Sequence, residues 1–185
     1  MVTRPASSLL RISRFDDGEP YFGRAGKNRF DDDSRPKKAR FGTCYCANAL
    51  VTAVAETLLH DRLPEDGRFR VDLAEVEALL VYQLAGRPLR LANLIGSELK
   101  VLGADGRVST ELPAYMPRRW ARAIHAHPAS VDGIQYVSRH VNDQVAVVLF
   151  DRATAKVRVS SPRRLDEHPE FAEVKRRLRL RLQRA

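Results

Sequence analysis

The residue of this chain that is hardest to explain as packing is Glu56, a carboxylate in the stretch FGTCYCANALVTAVAETLLHD. Its helical neighbours include Thr52, Ala53 and Leu59, and a helix that is apolar on nearly every side is expected to be buried. A buried carboxylate must be paired, hydrogen-bonded or protonated. A structural ion pair with one of the arginines and a place in a functional site are both open for Glu56, and the pattern favours the site.

The same stretch holds the only two cysteines, Cys44 and Cys46, on either side of Tyr45. Residues two apart on a strand face the same side, so the two thiols are predicted to pack together in apolar surroundings. This pair does not supply four zinc ligands, and no Cys/His set has zinc spacing, so we predict no metal site. Tyr45 faces the other side, either as an ordinary half-buried side chain or as a wall for a flat ligand.

Two further polar residues follow each other in GIQYVSRH. Ser138 lacks the Gly-x-Ser-x-Gly elbow of serine hydrolases, which argues against a nucleophilic role. Arg139 is either a salt-bridge residue or an anion ligand. The chain also lacks the phosphate-binding loop of ATPases and the Gly-x-Gly-x-x-Gly fingerprint of dinucleotide-binding dehydrogenases. Arginines, a carboxylate, a tyrosine and a serine together suit a ligand that carries phosphate and sugar.

The elements that position these groups predict a single domain over residues 1–185 with a mixed sheet of the α/β or α+β class. The polar segment 16–40 reads as a long loop, and Asn48 is predicted to cap a helix from about Ala49 to His60. A hairpin is predicted at 151–156. The other predicted elements are strands in LLRISRF, FGTCYCA, RPLRLANLIG, VDGIQYVSRH and QVAVVLFDRATAKVRVSS, and a helix in PAYMPRRWARAIHAHP.

The net charge of +9 and the pI near 10.1 make nucleic acid or another polyanion a candidate partner. The densest basic cluster is predicted as a C-terminal helix over about 168–184, outside a core of about 9–160. Phe171, Val174, Leu178 and Leu182 share one stripe of it, which predicts a docked helix with a solvated basic face. The alternatives are a phosphate-binding surface, as in a nucleic-acid-binding module, and a partner-binding helix.

No apolar run approaches the ~20 residues of a membrane span, and the first residues contain no apolar core of a secretory signal. A cytoplasmic protein without a membrane partner is therefore expected.

Several boxes in fixed order make the chain similar to a known family between about residues 9 and 160. They are LLRIS, NRFDDD, FGTCYCANALVTAVAET, LRLANLIGSEL, YMPRRWARAIHAHP, VDGIQYVSRH and AVVLFDR. In these boxes the chain resembles RES-domain proteins, a family named for its Arg, Glu and Ser. The positions that match the family's two arginines, tyrosine, glutamate and serine are Arg11, Arg29, Tyr45, Glu56 and Ser138.

Departures from the family pattern affect the second arginine most. The segment DDDSRPKKAR lengthens the chain before the tyrosine, so Arg35 and Arg40 are alternatives to Arg29. Val137 stands where the serine box often has proline, and Asn93 stands where an aspartate is common.

The resemblance favours the α+β class and implies a fold like that of the ADP-ribosyltransferase toxins, with NAD bound in a cleft of a split sheet. It implies cleavage of the nicotinamide–ribose bond of NAD, with inorganic phosphate as co-substrate, ADP-ribose 1''-phosphate as product and no permanently bound cofactor. ADP-ribosylation of a protein is the alternative. It further implies a toxin neutralised by an Xre-type helix-turn-helix antitoxin, with the toxin as a homodimer inside the larger complex.

The same resemblance sets expectations for the site residues. Arg11 and Arg29 are expected to hold the pyrophosphate, and Tyr45 to line the nicotinamide or ribose. Ser138 is expected to orient the ribose or the carboxylate. Glu56 is expected to hold a ribose hydroxyl and to stabilise the oxocarbenium-like centre of the transition state.

Overall fold

Most of the regular structure belongs to one large sheet with helices packed against it. The computed structural model describes residues 1–34 and 36–184. The strands in this part of the chain are β1 (Val2–Arg4), β2 (Leu10–Ser13), β3 (Thr43–Ala47), β4 (Phe69–Asp72), β5 (Leu80–Gly86), β6 (Leu89–Leu94), β7 (Gly133–Val137), β8 (Val145–Phe150), β9 (Val157–Val159), β10 (Arg163–Arg164) and β11 (Leu180–Gln183). The α-helices are α1 (Leu50–Thr57), α2 (Leu73–Glu77), α3 (Ser97–Val101), α4 (Arg107–Thr110), α5 (Tyr115–Ala126) and α6 (Phe171–Arg177).

The strand order of the large sheet is β1-β6-β7-β8-β3-β2-β5-β10, and β9 pairs with another part of β5. Strands β6 and β7 are parallel, and β11 pairs with β4 in a separate parallel pair. The other pairs are antiparallel. The predicted α+β fold with a mixed sheet is confirmed.

The large sheet is divided between β2 and β3. These neighbours share a single registered pair, Leu10 with Ala47, whereas β3 pairs with β8 over five positions. Beyond that one pair the two strands diverge, and the residues after Leu10 and before Ala47 face a gap. The sheet therefore consists of two halves that meet at one point.

Each half of the sheet has its own apolar core. One cluster packs α1 and α6 on the β2–β5 half and includes Leu50 and Val54. Another packs α5 on the β6–β8 half and includes Ile134 and Val148. The predicted thiol pair is confirmed, since Cys44 and Cys46 are buried in a third cluster with their sulfur atoms 4.0 Å apart.

Three local predictions were wrong. Helix α1 begins at Leu50 with Ala49 as N-cap and ends at Thr57, so Asn48 does not cap it and His60 lies beyond it. Segment 151–156 is a 3₁₀ helix and not a hairpin, because β7 and β3 occupy both edges of β8 and β9 pairs with β5 instead. The C-terminal helix ends at Arg177, and Leu180–Gln183 is a strand.

The described part of the segment 16–40 forms a long loop, as predicted. In its described part the regular structure is limited to a bridge at Gly23 and a 3₁₀ turn at Lys37–Ala39. None of the described helices is long and apolar enough to cross a bilayer.

Candidate active site

A cavity of about 600 Å³ opens where β2 and β3 diverge. Its volume falls within the range of about 300–1,000 Å³ that is usual for ligand sites. The walls come from both halves of the sheet, from α1, from the long loop and from the segment before α5. The charged residues among its lining are Arg11, Lys27, Arg29, Glu56, Arg118 and Arg139.

Arg11 lies in the gap between the two strands. Its Nη1 donates to the Tyr45 carbonyl oxygen at 3.1 Å, in the place of a strand partner. Its Nε donates to Glu19 Oε2 at 2.6 Å, and the Glu19 side chain is 2% exposed. Burial opposes ionisation of Glu19, but the hydrogen bonds from Arg11 and from the Tyr21 N–H hold its pKa below the ordinary value.

We expect Glu19→Gln to lower the free energy of unfolding by about 2–3 kcal/mol at neutral pH. Loss of one partner of a buried pair costs about 3–5 kcal/mol, and the retained amide oxygen reduces that cost. Because the folded-state pKa of Glu19 is depressed, its contribution is complete above the unfolded pKa of about 4.3. It is lost as the pH falls through the folded pKa. Urea unfolding of both proteins at pH 7 and pH 3 measures this, and an equal difference at both pH values would contradict it.

Tyr45 is fixed from the loop by a second buried carboxylate, Asp31, which is 2% exposed. Asp31 Oδ1 accepts from Tyr45 Oη at 3.1 Å and from Thr43 Oγ1 at 2.6 Å. Its Oδ2 accepts from the backbone N–H groups of Lys27 and Asn28 at 3.1 and 3.0 Å. Burial and the Asp31 charge raise the pKa of Tyr45 well above its ordinary value, so the phenol stays protonated.

Helix α5 holds the same part of the loop from the other side. Arg118 donates from Nε to the Asn28 carbonyl at 3.1 Å and from Nη2 to the Lys27 carbonyl at 2.7 Å. Its Nη1 pairs with Asp33 at 2.9 Å, and Arg122 pairs with the same carboxylate. Asp31 and Arg118 together fix the loop residues that line the cavity.

The structure distinguishes among the three candidates for the second arginine. Arg29 lines the cavity and donates from Nη1 to the Glu111 carbonyl at 3.0 Å. Arg40 lies on the loop instead, where its Nη1 donates to the Ala25 carbonyl at 2.8 Å, and it is not part of the lining. Arg35 lies outside the described residues.

Glu56 lies in the last turn of α1 at the cavity wall, and its side chain is 24% exposed. Ser138, which is fully buried and follows β7, donates from Oγ to Glu56 Oε1 at 2.6 Å. Ser138 Oγ also accepts from the N–H groups of His140 and Val141, each at 3.2 Å. With its acceptor capacity used by the loop, the hydroxyl proton is directed to Glu56, so Ser138 orients the carboxylate.

Arg139 lies next to Glu56 and contacts two histidines. Its Nε donates to His140 Nε2 at 3.0 Å, and its Nη2 is 3.2 Å from His60 Nε2. Burial lowers the pKa of His140, and the Arg139 charge adds to that effect against the opposing Glu56 charge. His140 is therefore neutral at pH 7.

The cavity carries an excess of positive charge. Burial lowers the pKa of Arg29, and the charge of the neighbouring Arg139 adds to that effect. Among the described residues neither has a carboxylate oxygen within 4.0 Å, whereas Arg11 and Arg118 pair with Glu19 and Asp33. Glu56 is the one carboxylate in the described lining. Such a surface favours an anionic ligand.

The structure thus brings four of the five sequence-predicted residues to one cavity and places the fifth behind them. Arg11, Arg29, Tyr45 and Glu56 line it, and Ser138 contacts Glu56 from outside the lining. The sequence analysis missed the residues that hold this arrangement or add charge to it, which are Glu19, Asp31, His60, Arg118 and His140. None of these residues stands in a sequence motif that marks a site.

A fold comparison places the chain near a solved complex. The crystal structure of the M. tuberculosis MbcT–MbcA toxin–antitoxin complex aligns with a TM-score of 0.58 at 11% sequence identity. The alignment covers 92% of this chain and 87% of that one. At this identity the match shows a shared fold.

One curated protein is related in sequence. The hemin import ATP-binding protein HmuV of Rhodopseudomonas palustris (strain BisB5) is 30% identical over 128 residues. Those residues are 65% of this chain and 48% of that protein, so the chain spans about half the length of the curated relative. The chain lacks the Gly-x-x-x-x-Gly-Lys-Ser/Thr loop that binds nucleotide phosphates in ATPases, so ATP binding has no sequence counterpart here.

Residues 8–172 match the family described as RES domain, which includes every element that lines the cavity. This match spans most of the chain and agrees with the boxes that contain Arg11, Glu56 and Ser138. The chain belongs to the RES domain family.

Proposed function

We infer that this chain is the toxin of a toxin–antitoxin pair and that it consumes NAD by cleaving the nicotinamide–ribose bond. The supporting observation is the position of Glu56, which Ser138 orients at the wall of a cavity where Arg29 and Arg139 have no carboxylate partner among the described residues and favour an anionic ligand. The toxin role is further supported by the fold shared with the MbcT–MbcA complex. An Xre-type helix-turn-helix protein is the proposed antitoxin.

The arginines of the cavity suit the pyrophosphate of NAD, and Glu56 suits its nicotinamide–ribose part. The pyrophosphate suits Arg29 and Arg139, because their donors are not committed to carboxylates. Arg11 also lines the cavity and has a supporting part, since its Nε and Nη1 already donate to Glu19 and to the Tyr45 carbonyl.

The chemistry follows from a carboxylate beside an electron-poor carbon. The C–N bond to nicotinamide breaks with both electrons leaving on the ring nitrogen, and positive charge develops on the ribose carbon. The Glu56 carboxylate stabilises that charge, and the hydrogen bond from Ser138 fixes its direction. Tyr45 lines the ribose or nicotinamide. A phosphate oxygen then forms the new C–O bond and gives ADP-ribose 1''-phosphate.

Incubation with NAD in the presence and absence of inorganic phosphate tests this function. Nicotinamide is followed by chromatography, and the other product is identified by its mass. ADP-ribose 1''-phosphate that forms only with phosphate supports phosphorolysis. ADP-ribose in both samples would assign water as acceptor, and labelled protein from labelled NAD would assign protein ADP-ribosylation. No release of nicotinamide in any sample would overturn the function.

We expect Arg29→Gln to raise the KM for NAD by at least about tenfold, because a charge-assisted hydrogen bond contributes about 1.5–3 kcal/mol. Arg40→Gln removes the same charge outside the cavity lining and is expected to change the KM by less than about twofold. Initial rates over a range of NAD concentrations measure both. Arg158→Gln, on an exposed position of β9, is the control for net charge. A larger rise in KM for Arg40→Gln than for Arg29→Gln would identify Arg40 as the second arginine of the site.

A further inference from the structure

Three side chains of types that can ligate a metal meet beside the cavity. One ligand atom each of Glu56, His60 and His140 lies within 4.8 Å of the other two. The distance between Glu56 Oε2 and His140 Nε2 is 3.7 Å, and the His60 side chain is 47% exposed. Glu56 and His60 come from the end of α1 and the turn after it, whereas His140 comes from the loop after β7. The group was not visible in the sequence because 80 or more residues separate its two parts.

Both imidazoles contact the same guanidinium group. Arg139 Nε lies 3.0 Å from His140 Nε2, and Arg139 Nη2 lies 3.2 Å from His60 Nε2. A guanidinium group can only donate, so both Nε2 atoms accept and the ring protons lie on the Nδ1 atoms. Both histidines therefore have the tautomer in which Nε2 can bind a cation.

We propose that Glu56, His60 and His140 form a binding site for a transition-metal dication of the Zn²⁺ class, in competition with the Arg139 guanidinium. Two imidazoles and a carboxylate form a common ligand set of zinc sites that keep a position open to solvent. Neighbouring ligands on a tetrahedral zinc lie about 3.3–3.5 Å apart, given bonds of about 2.0–2.2 Å. The Glu56–His140 distance is already close to that value, and His60 can move because it is exposed.

Local charge limits the strength of this site. Arg29 and Arg139 line the cavity together with Glu56, and both oppose the approach of a cation. The metal has to displace the Arg139 guanidinium from the two nitrogens, and it gains the Glu56 carboxylate in exchange. Removing the arginine should therefore strengthen metal binding, whereas removing either histidine should weaken it. These opposite signs distinguish a metal site from a cluster that binds through surface charge.

Occupation of the site would take a carboxylate oxygen from the catalytic centre. This consequence rests on the proposed function, because it requires Glu56 to act on NAD. Zinc bound to Glu56 would make this carboxylate unavailable to a ligand in the cavity. The displaced Arg139 would also no longer hold its present anion-binding position. The bound ion would then act as an inhibitor of nicotinamide release.

Titration of the chelator-stripped full chain with Zn²⁺ against a chromogenic chelator tests the site. We expect one ion per chain for the wild type. His60→Gln should weaken Zn²⁺ binding by at least about tenfold, because loss even of a residue that only supports a metal ligand typically costs about 10–100-fold in affinity. Arg139→Gln should bind Zn²⁺ more tightly than the wild type. His127→Gln changes an exposed histidine outside the cavity and should leave the affinity unchanged.

A wild-type affinity in His60→Gln, or weaker binding in Arg139→Gln, would overturn the metal site. Thermal unfolding of each variant establishes that it is folded, and the visible absorption of bound Co²⁺ reports the ligand set without any enzyme assay. Zn²⁺ that binds as expected but leaves nicotinamide release unchanged would overturn the role of Glu56 in catalysis and not the site. A failure of the proposed function is thereby distinguishable from a failure of the metal proposal.

Discussion

Replacing Glu56 with glutamine is expected to reduce nicotinamide release from NAD by a factor of about 10²–10³, with little change in thermal stability. Loss of one preorganised electrostatic group has this effect on rate because the group acts on charge that is present only in the transition state. The amide keeps the shape and still accepts the 2.6 Å hydrogen bond from Ser138, so the cavity wall should be preserved. The kcat for nicotinamide release measures the effect.

Glu98→Gln is the matched control, since it removes the same charge from an exposed position on α3. It should retain the wild-type rate. Equal rates for Glu56→Gln and the parent would contradict the assignment of Glu56. Ser138→Ala should lower the rate in the parent and have little further effect in Glu56→Gln, because Ser138 acts through the carboxylate.

Asp31→Ala is expected to lower the free energy of unfolding by at least about 4 kcal/mol. Four donors that now reach this carboxylate would be left without it, and each buried donor without an acceptor costs about 1–3 kcal/mol. The loop also loses its bond to Tyr45, so the KM for NAD should rise more than kcat falls. Urea unfolding and steady-state kinetics measure the two effects.

Asp17→Ala removes a carboxylate from an exposed position of the same loop and should change stability by less than about 0.5 kcal/mol. Asp31→Asn should lie between Asp31→Ala and the wild type, because it keeps one acceptor oxygen. A stable Asp31→Ala protein with an unchanged KM would show that Asp31 does not position the loop.

Residue pattern alone pointed to the site residues whose type conflicts with their local surroundings, whereas Arg11, Arg29 and Ser138 were identified through the family resemblance. Glu56 is a charge within an apolar helix, and Tyr45 alternates with two thiols on a strand. Asp31 gave no such signal, because DDDS resembles a solvated acidic run. Its burial depends on Thr43 and Tyr45, which reach it only after β3 has paired with β8.

The errors in the fold have the same origin. The C-terminal segment LRLRLQ alternates leucine and arginine, which is the period of a strand, but the basic helix before it favoured a longer helix. Strand β11 then pairs with β4, more than 100 residues earlier in the chain. The hairpin at 151–156 fails because β8 is central in the sheet and has no free edge. A short stretch of sequence does not reveal pairing partners that lie this far apart in the chain.

The single registered pair between β2 and β3 has a consequence for the whole molecule. A ligand in the cavity, where the hydrogen-bond ladder between β2 and β3 is interrupted, contacts both halves of the sheet and so holds them together. Binding to the folded state alone stabilises a protein by about 2.7 kcal/mol at a concentration of 100 Kd. Under the proposed function this ligand is also the substrate. Consumption of NAD therefore also lowers the free energy of unfolding of the enzyme that consumes it.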